Sequence, residues 1–351
     1  MSLRTLSLFS LFSLLTLLVG CDLAGTGDNA AGGTDASITS GVFVANQGAF
    51  GQGNGSISVY DPLSDQSSSG AITGLSSIVQ GIALREGKLY VAANSGGRLD
   101  VFSTVSLNPV AQVTNQISSP RYFAFPSEQT AYVSNLFGDI SVVDLSSGTV
   151  TKTISTSGSP EGLTVADDRV YAALGVFNAS SKVAVLNTND ATLTTEIDIG
   201  CTARFVLTDD QNEVFALCNN ETTGEVVILD GTKEQSRFAL ADSVQTAGPG
   251  QDAYYSSGTQ ELYVVLAEDR VIRINTVTNQ KTATLTPSGP GPIGAVGYDD
   301  VNDRLYLGRA DPTSPFSAAG TVTIHKRDGE KVGDFSAGIA PTFIDFRRGR
   351  E

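Results

Sequence analysis

The sequence predicts an all-β protein, a seven-bladed β-propeller closed by a C-terminal strand that becomes the innermost strand of blade one. Three observations predict it. A strand led by an aromatic residue, of the type Tyr-Val-x-x-Asn, recurs seven times, at Phe43, Tyr90, Tyr132, Tyr171, Phe215, Tyr263 and Tyr306. The gaps are 47, 42, 39, 44, 48 and 43 residues, the length of a four-stranded propeller blade. Finally, the last apolar run, Ala340 to Phe346, matches the strands that open other repeats at Pro120 to Phe125 and Pro160 to Val165, whereas the first repeat starts at Gly41 without one. Pairing that run with the first repeat removes an exposed sheet edge.

Within each repeat the elements follow in a fixed order: an apolar strand, a polar turn, the aromatic-led strand, a glycine-containing loop, an alternating strand and a Thr- and Val-rich outer strand. The third strands read Ser56 to Asp61, Arg98 to Phe102, Ile140 to Asp144, Lys182 to Leu186, Glu225 to Asp230, Arg270 to Asn275 and Thr321 to His325. Several are apolar on both faces, as strands sandwiched between neighbouring blades must be. No stretch after the first 20 residues keeps a helical period.

The N-terminus carries an address. Arg4 precedes an apolar stretch of 14 residues, Leu6 to Val19, too short for a bilayer span of ~20 residues, and residues 1–20 read as a lipoprotein signal peptide. It runs into Leu18-Val19-Gly20-Cys21, which resembles the lipobox of bacterial lipoproteins; that resemblance implies lipidation of Cys21 and an envelope location, the outer membrane in preference to the inner. Residues 21–40 are rich in small polar residues and read as a tether, leaving 41–351 for the propeller. The membrane is met through the lipid only. A net charge of −15 repels phosphate backbones and argues against nucleic acid.

Two cysteines remain. Cys201 and Cys218 sit on the first two strands of the fifth repeat, joined by a turn near Thr208 to Gln211. Either a cross-strand disulfide or two buried thiols satisfies the spacing, and an oxidising compartment permits the bond. The single histidine, His325, reads as a hydrogen-bonded strand residue rather than a metal or general-base centre. Asp299, Asp300, Asn302 and Asp303, like Asp209, Asp210 and Asn212, have the composition of a calcium loop. They fall on first-hairpin turns, where Asp and Asn serve turn geometry, and no metal is assigned. No nucleophile elbow or phosphate-binding glycine loop is present, so neither a catalytic residue nor a cofactor is expected.

Two residue sets are candidates for ligand contact. The longest loops between second and third strands, in repeats one and seven, bring Gln47, Phe50, Gln52, Asp311 and Phe316 to one face. The alternative is that the two phenylalanines pack the loops onto the blades. The positions leading into the innermost strands, Gln80, Arg121, Glu161, Arg204, Asp252 and Thr342, line the channel mouth as either a ligand site or a solvated lining. Asn94, Asn135 and Asn219 end second strands and read as turn-fixing residues.

Tyr132-Val133-Ser134-Asn135, Ile140 to Asp144, Thr151 to Ile154 and Ser159-Pro160-Glu161-Gly162 resemble the YVTN-repeat, YncE-like seven-bladed propellers. Val44-Ala45-Asn46-Gln47-Gly48 with Asn54 to Asp61, and Gly320-Thr321-Val322, Asp328-Gly329 and Ala337 to Pro341, resemble the opening and closing blades of surface lipoproteins from Bacteroidota. That branch includes BtuG-type cobalamin-capture proteins. Gln47 stands where that branch carries an acid, and Ala310-Asp311-Pro312 departs from its loop. The resemblance implies a non-enzymatic capture protein for a small ligand, a corrinoid first, working with a TonB-dependent transporter. A protein-binding scaffold and a channel-centred lactonase or hydrolase are the alternatives.

Overall fold

The computed structural model describes residues 39–349 except 176, 247 and 249; the signal-like segment, Cys21 and the tether up to residue 38 lie outside the described residues. Seven four-stranded antiparallel sheets make up the domain. Their first strands touch one another in sequence around a closed ring, from Val79–Arg85 through Ile293–Asp299 to Pro341–Arg348 and back. Among the described residues, helix amounts to one 3-10 turn, Ala267–Asp269. The seven aromatic markers fall on the second strand of each blade, and the seven predicted third strands fall on the third.

Closure occurs as the sequence predicts. Pro341–Arg348 pairs antiparallel with Thr39–Asn46, and the sheet continues through Ser56–Asp61 and Gln66–Ile72. The first strand starts two residues before the expected Gly41. Thr39 lies opposite Arg348 and its hydroxyl donates to Asp299 Oδ1 at 2.6 Å, so the end of the expected tether is drawn into the sheet.

Blades pack through apolar faces on both sides. Second strands are buried end to end in blades one and six, Thr39–Asn46 and Glu261–Leu266, whereas outer strands such as Lys233–Ala239 are mostly exposed. Aromatic pairs bridge neighbouring blades: Tyr263 stacks on Tyr298 at 4.4 Å and Tyr60 on Phe335 at 4.6 Å. The asparagines at the ends of the second strands of blades two, three and five bond to the segments that connect neighbouring blades. Asn94 Nδ2 donates to the Pro120 carbonyl at 3.1 Å, Asn135 Oδ1 accepts from Ser118 N at 3.3 Å, and Asn219 exchanges two bonds with Val244. Turn-fixing is therefore their role, extended across the blade boundary.

In blade five Cys201 and Cys218 are joined by a disulfide with a Cα separation of 5.5 Å. A hairpin turning at Thr208 to Gln211 would set Cys201 directly opposite Cys218, and the observed register differs from that. Asp209 Oδ1 accepts from the backbone N–H groups of Gln211 and Glu213, making a wider turn, and a bulge follows Ala203; Ala203 rather than Cys201 lies opposite Cys218. The bond spans that offset.

Two outcomes test this architecture. A chain ending at Gly338 loses the whole closing strand, and circular dichroism should show no cooperative melt; a melt at the parent temperature would overturn closure. The Cys201→Ala/Cys218→Ala chain should lose roughly 3 kcal/mol in urea titration, as expected for a short closed loop.

Candidate functional site

Because the ring strands are extended, alternate side chains turn toward the propeller axis and pile up in layers. The uppermost layer, on the side of the second-to-third-strand loops, contains the predicted channel set. Arg121 Nε and Nη2 donate to Glu161 Oε2 at 3.1 and 3.0 Å, and its Nη1 donates to Gln80 Oε1 at 2.9 Å. Arg204 makes a two-pronged pair with Asp252 at 2.9 and 3.1 Å, and the Thr246 hydroxyl donates to the same carboxylate at 2.9 Å. Thr342 donates to the Gln80 carbonyl at 3.2 Å. The structure thus brings these six residues together, with the four charged ones in two neighbouring ion pairs. Arg121 and Glu161 side chains are only 3% and 2% accessible, which leaves them no room to act as a wet lining.

Glu161 Oε1 is buried and accepts no hydrogen bond among the described residues. Burial pushes its pKa up to about 7, outweighing the opposite pull of Arg121. Arg204 moves upward, held in its charged form by Asp252.

One layer down, the channel is plugged. Tyr122 packs edge-on against Phe205 at 5.5 Å and lies 5.9 Å from Phe343. Its hydroxyl crosses from blade three to blade six and donates to the Gly250 carbonyl at 3.1 Å. Small residues make room for these rings: a Cβ on Gly162 would sit 2.7 Å from the Phe205 ring.

Beneath the plug lies a cavity of about 270 Å3, reaching toward the first-hairpin face. Tyr122, Phe123, Phe125, Phe205, Tyr254, Tyr255 and Phe343 line it, with Thr164, Thr208 and Leu207 between them. Asp345 contributes the one charged side chain in this lining. Its Oδ2 accepts from Leu84 N and its Oδ1 from Phe346 N, each at 2.8 Å. Burial raises its pKa to about 6, against the pull of the two N–H donors and of Arg348.

The outer loop set is placed separately. Loop 46–55 leans on blade two, where Gly55 N donates to the Ser77 carbonyl and Val79 N donates to the Gln47 carbonyl. Phe50 and Gln52 are exposed, Phe50 at 83%. Asp311 Oδ1 is taken up by Thr313 and Ser314 in its own turn. Phe316, 43% exposed, lies over Gly248 of the loop leading into blade six.

Other predicted residues have structural partners. His325 is fully buried, its Nδ1 3.0 Å from the Gly329 carbonyl and its Nε2 2.9 Å from Thr323 Oγ1, and burial lowers its pKa. In the acidic turn of blade seven, Arg348 pairs with Asp299 and with Asp300, and Asn302 donates to Asp299 at 2.6 Å.

Tyr122, Phe343, Asp345 and Phe177 are absent from the sequence-derived candidates. Phe177, on the loop of blade four, places its ring 5.0 Å from the Arg121 guanidinium. The first three lie one or three positions beyond Arg121 or Thr342, offsets that strict alternation assigns to the other face; irregular register at Pro120/Phe123 and at Pro341/Phe343 breaks that alternation, and no spacing in the sequence signals it.

Several comparisons bear on this site. Residues 40–332 match a family described as a domain of unknown function, DUF5074. No curated protein matches the chain. Among solved structures, hydrazine synthase of Kuenenia stuttgartiensis aligns with a TM-score of 0.64 and 15% identity, over 77% of this chain and 95% of the other. A quinonprotein alcohol dehydrogenase-like protein from Bacteroides thetaiotaomicron aligns with a TM-score of 0.65 and 14% identity, over 88% of this chain and 78% of the other. At such identities the likeness concerns the fold alone.

The polar layer yields a pH test. A carboxyl whose folded pKa is raised to about 7 contributes stability below its unfolded pKa, near 4.3, and loses it as pH rises through about 7. Glu161→Gln should therefore flatten the fall in urea midpoint between pH 5.5 and 8.5; an unchanged slope would show that Glu161 is not the group responsible.

Proposed function

We propose that this chain, which belongs to the DUF5074 family of unknown function, is a non-enzymatic ligand-binding propeller held at the cell envelope by a lipid on Cys21. Its ligand is a small molecule received in the aromatic cavity below the Tyr122 plug. The observation that carries this reading is the cavity itself, closed above by Tyr122, Phe205 and Phe343 and walled mainly by rings. Aromatic walls with a few placed polar groups are the usual composition of a small-molecule site. The groups that acid–base catalysis would call on support binding over turnover. Glu161 is locked to Arg121, Asp252 to Arg204, and His325 is sealed within blade seven.

A second reading keeps a corrinoid as ligand, with a TonB-dependent transporter as partner, following the resemblance to cobalamin-capture propellers. The cavity of about 270 Å3 is below even the roughly 300–1,000 Å3 of pockets for drug-sized ligands, so a corrinoid would lie on the outer loops. The exposed rings of Phe50 and Phe316 favour that placement.

Ala83 borders the cavity and is half-buried, so Ala83→Trp fills the space from its rim. Thermal-shift and calorimetric screening of the full chain should give small-molecule binding that this change weakens at least tenfold while the melting temperature holds. Cobalamin binding that survives Ala83→Trp but is lost in Phe50→Ala/Phe316→Ala would shift the site to the loops.

A further inference from the structure

Resting on the reading that the cavity is the binding site, we infer that its ligand class is a small organic ammonium ion, with the charge set against Asp345 and the carbon skeleton among Tyr254, Tyr255, Phe125 and Phe343. Asp345 is the one charged side chain in the cavity lining, and among the described residues no ion pair involves it. The nearby guanidinium of Arg348 is committed to Asp299 and Asp300. From the adjacent strand of blade two, Arg85 lies over the Phe125 ring at 5.5 Å. The carboxylate accepts two backbone N–H groups and keeps further acceptor positions open. A desolvated anion without a counter-ion is costly, and a ligand that brings the opposite charge relieves that cost.

The surroundings decide which cation. A hard divalent ion needs six to eight oxygen ligands. The cavity offers one carboxylate, two threonine hydroxyls bonded to each other (Thr164 and Thr208), tyrosine phenols that are weak metal ligands, and Gln251, whose Oε1 already accepts from Ile344 N at 3.0 Å. Aromatic walls instead suit a weakly hydrated organic cation, which gains from ring faces what it loses in hydration. A neutral polar ligand would leave the carboxylate uncompensated.

The direction of the acid constants agrees. Burial raises Asp345 to about 6, so its charged form is the strained one, and a bound cation should favour it. The other ionisable groups around it hold their state near neutrality. Tyr254 is pushed above the ordinary phenol range by burial, and Arg348 stays charged on its two aspartates.

Choline and its uncharged isostere 3,3-dimethylbutan-1-ol separate charge from shape. Calorimetry on the full chain at pH 7.5 should give choline at least tenfold tighter than the isostere. Lowering the pH to 5 should weaken choline by about tenfold, the loss of ionised carboxylate expected for a group titrating near 6, and leave the isostere unchanged. Asp345→Asn should bring the two ligands to similar affinity. Equal affinities in the unaltered chain, absence of choline binding, or choline binding indifferent to both pH and Asp345→Asn would overturn the assignment. If the isostere binds as well as choline and Ala83→Trp abolishes both, the cavity remains the site and the cationic class falls. If neither binds and the small-molecule screen is also empty, both readings fall.

Discussion

The pairing of Pro341–Arg348 with Thr39–Asn46 is the constraint on which the rest of the molecule depends. A ring of blades has no edge only if its two ends share a sheet, and here the sharing joins residues about 300 positions apart in the chain. Such a contact carries the loop-closure entropy of nearly the whole domain. Its return is that every blade gains two packed neighbours. The same strand also delivers Phe343 to the plug and Asp345 to the cavity. Closing the ring and completing the candidate site are therefore one event, and an open ring would have neither wall nor charge there.

The channel shows how a propeller axis is filled when chemistry differs by layer. Above, four charged side chains neutralise one another in two pairs and cost desolvation that only good geometry offsets. Below them, Tyr122, Phe205 and Phe343 meet across space that Gly162 and Ala253 leave free, an alternation of large and small side chains around the ring. That plug separates the polar layer from the cavity. The Tyr122 hydroxyl, spent on the Gly250 carbonyl, pins the plug across the axis.

Much of the fold was legible in the sequence because blade architecture repeats a local signal. Tyr90, Tyr132 and Tyr263 each head a buried second strand, and Asn94, Asn135 and Asn219 end one, so spacing alone located the sheets. The missing first strand before Gly41 and the surplus strand after Ala340 announced closure. The site was less legible. Gln80, Arg121, Glu161, Arg204, Asp252 and Thr342 were found as one set, since all occupy the same position in their strands, but their pairing was not. Which Arg meets which acid depends on blade-to-blade distance, which no spacing encodes. Asp345 escaped notice because its meaning lies in what is absent around it. A carboxylate on an apolar strand looks like a turn acid until the surrounding rings and the missing counter-ion are seen. The disulfide register slipped for a related reason: the Asp209 turn widens the hairpin through side-chain bonds that a two-strand count omits.

The net charge of −15 takes on a second meaning beside the cavity. An acidic surface repels polyanions, and by the same field it raises the local concentration of small cations. At physiological salt that field fades within about 8 Å, so it acts on approach and not inside the channel. For the proposed ammonium ligand, discrimination within the cavity rests on Asp345 and the rings, where low polarity strengthens each charge contact. Several other acids are already committed: Glu261 to Arg273 and Arg327, Glu225 and Glu234 to Arg237, Asp299 and Asp300 to Arg348. Asp345 stands apart from that pattern. It is a half-buried carboxylate placed by the closing strand where backbone donors alone meet it, and that asymmetry, rather than overall acidity, distinguishes a site from a surface.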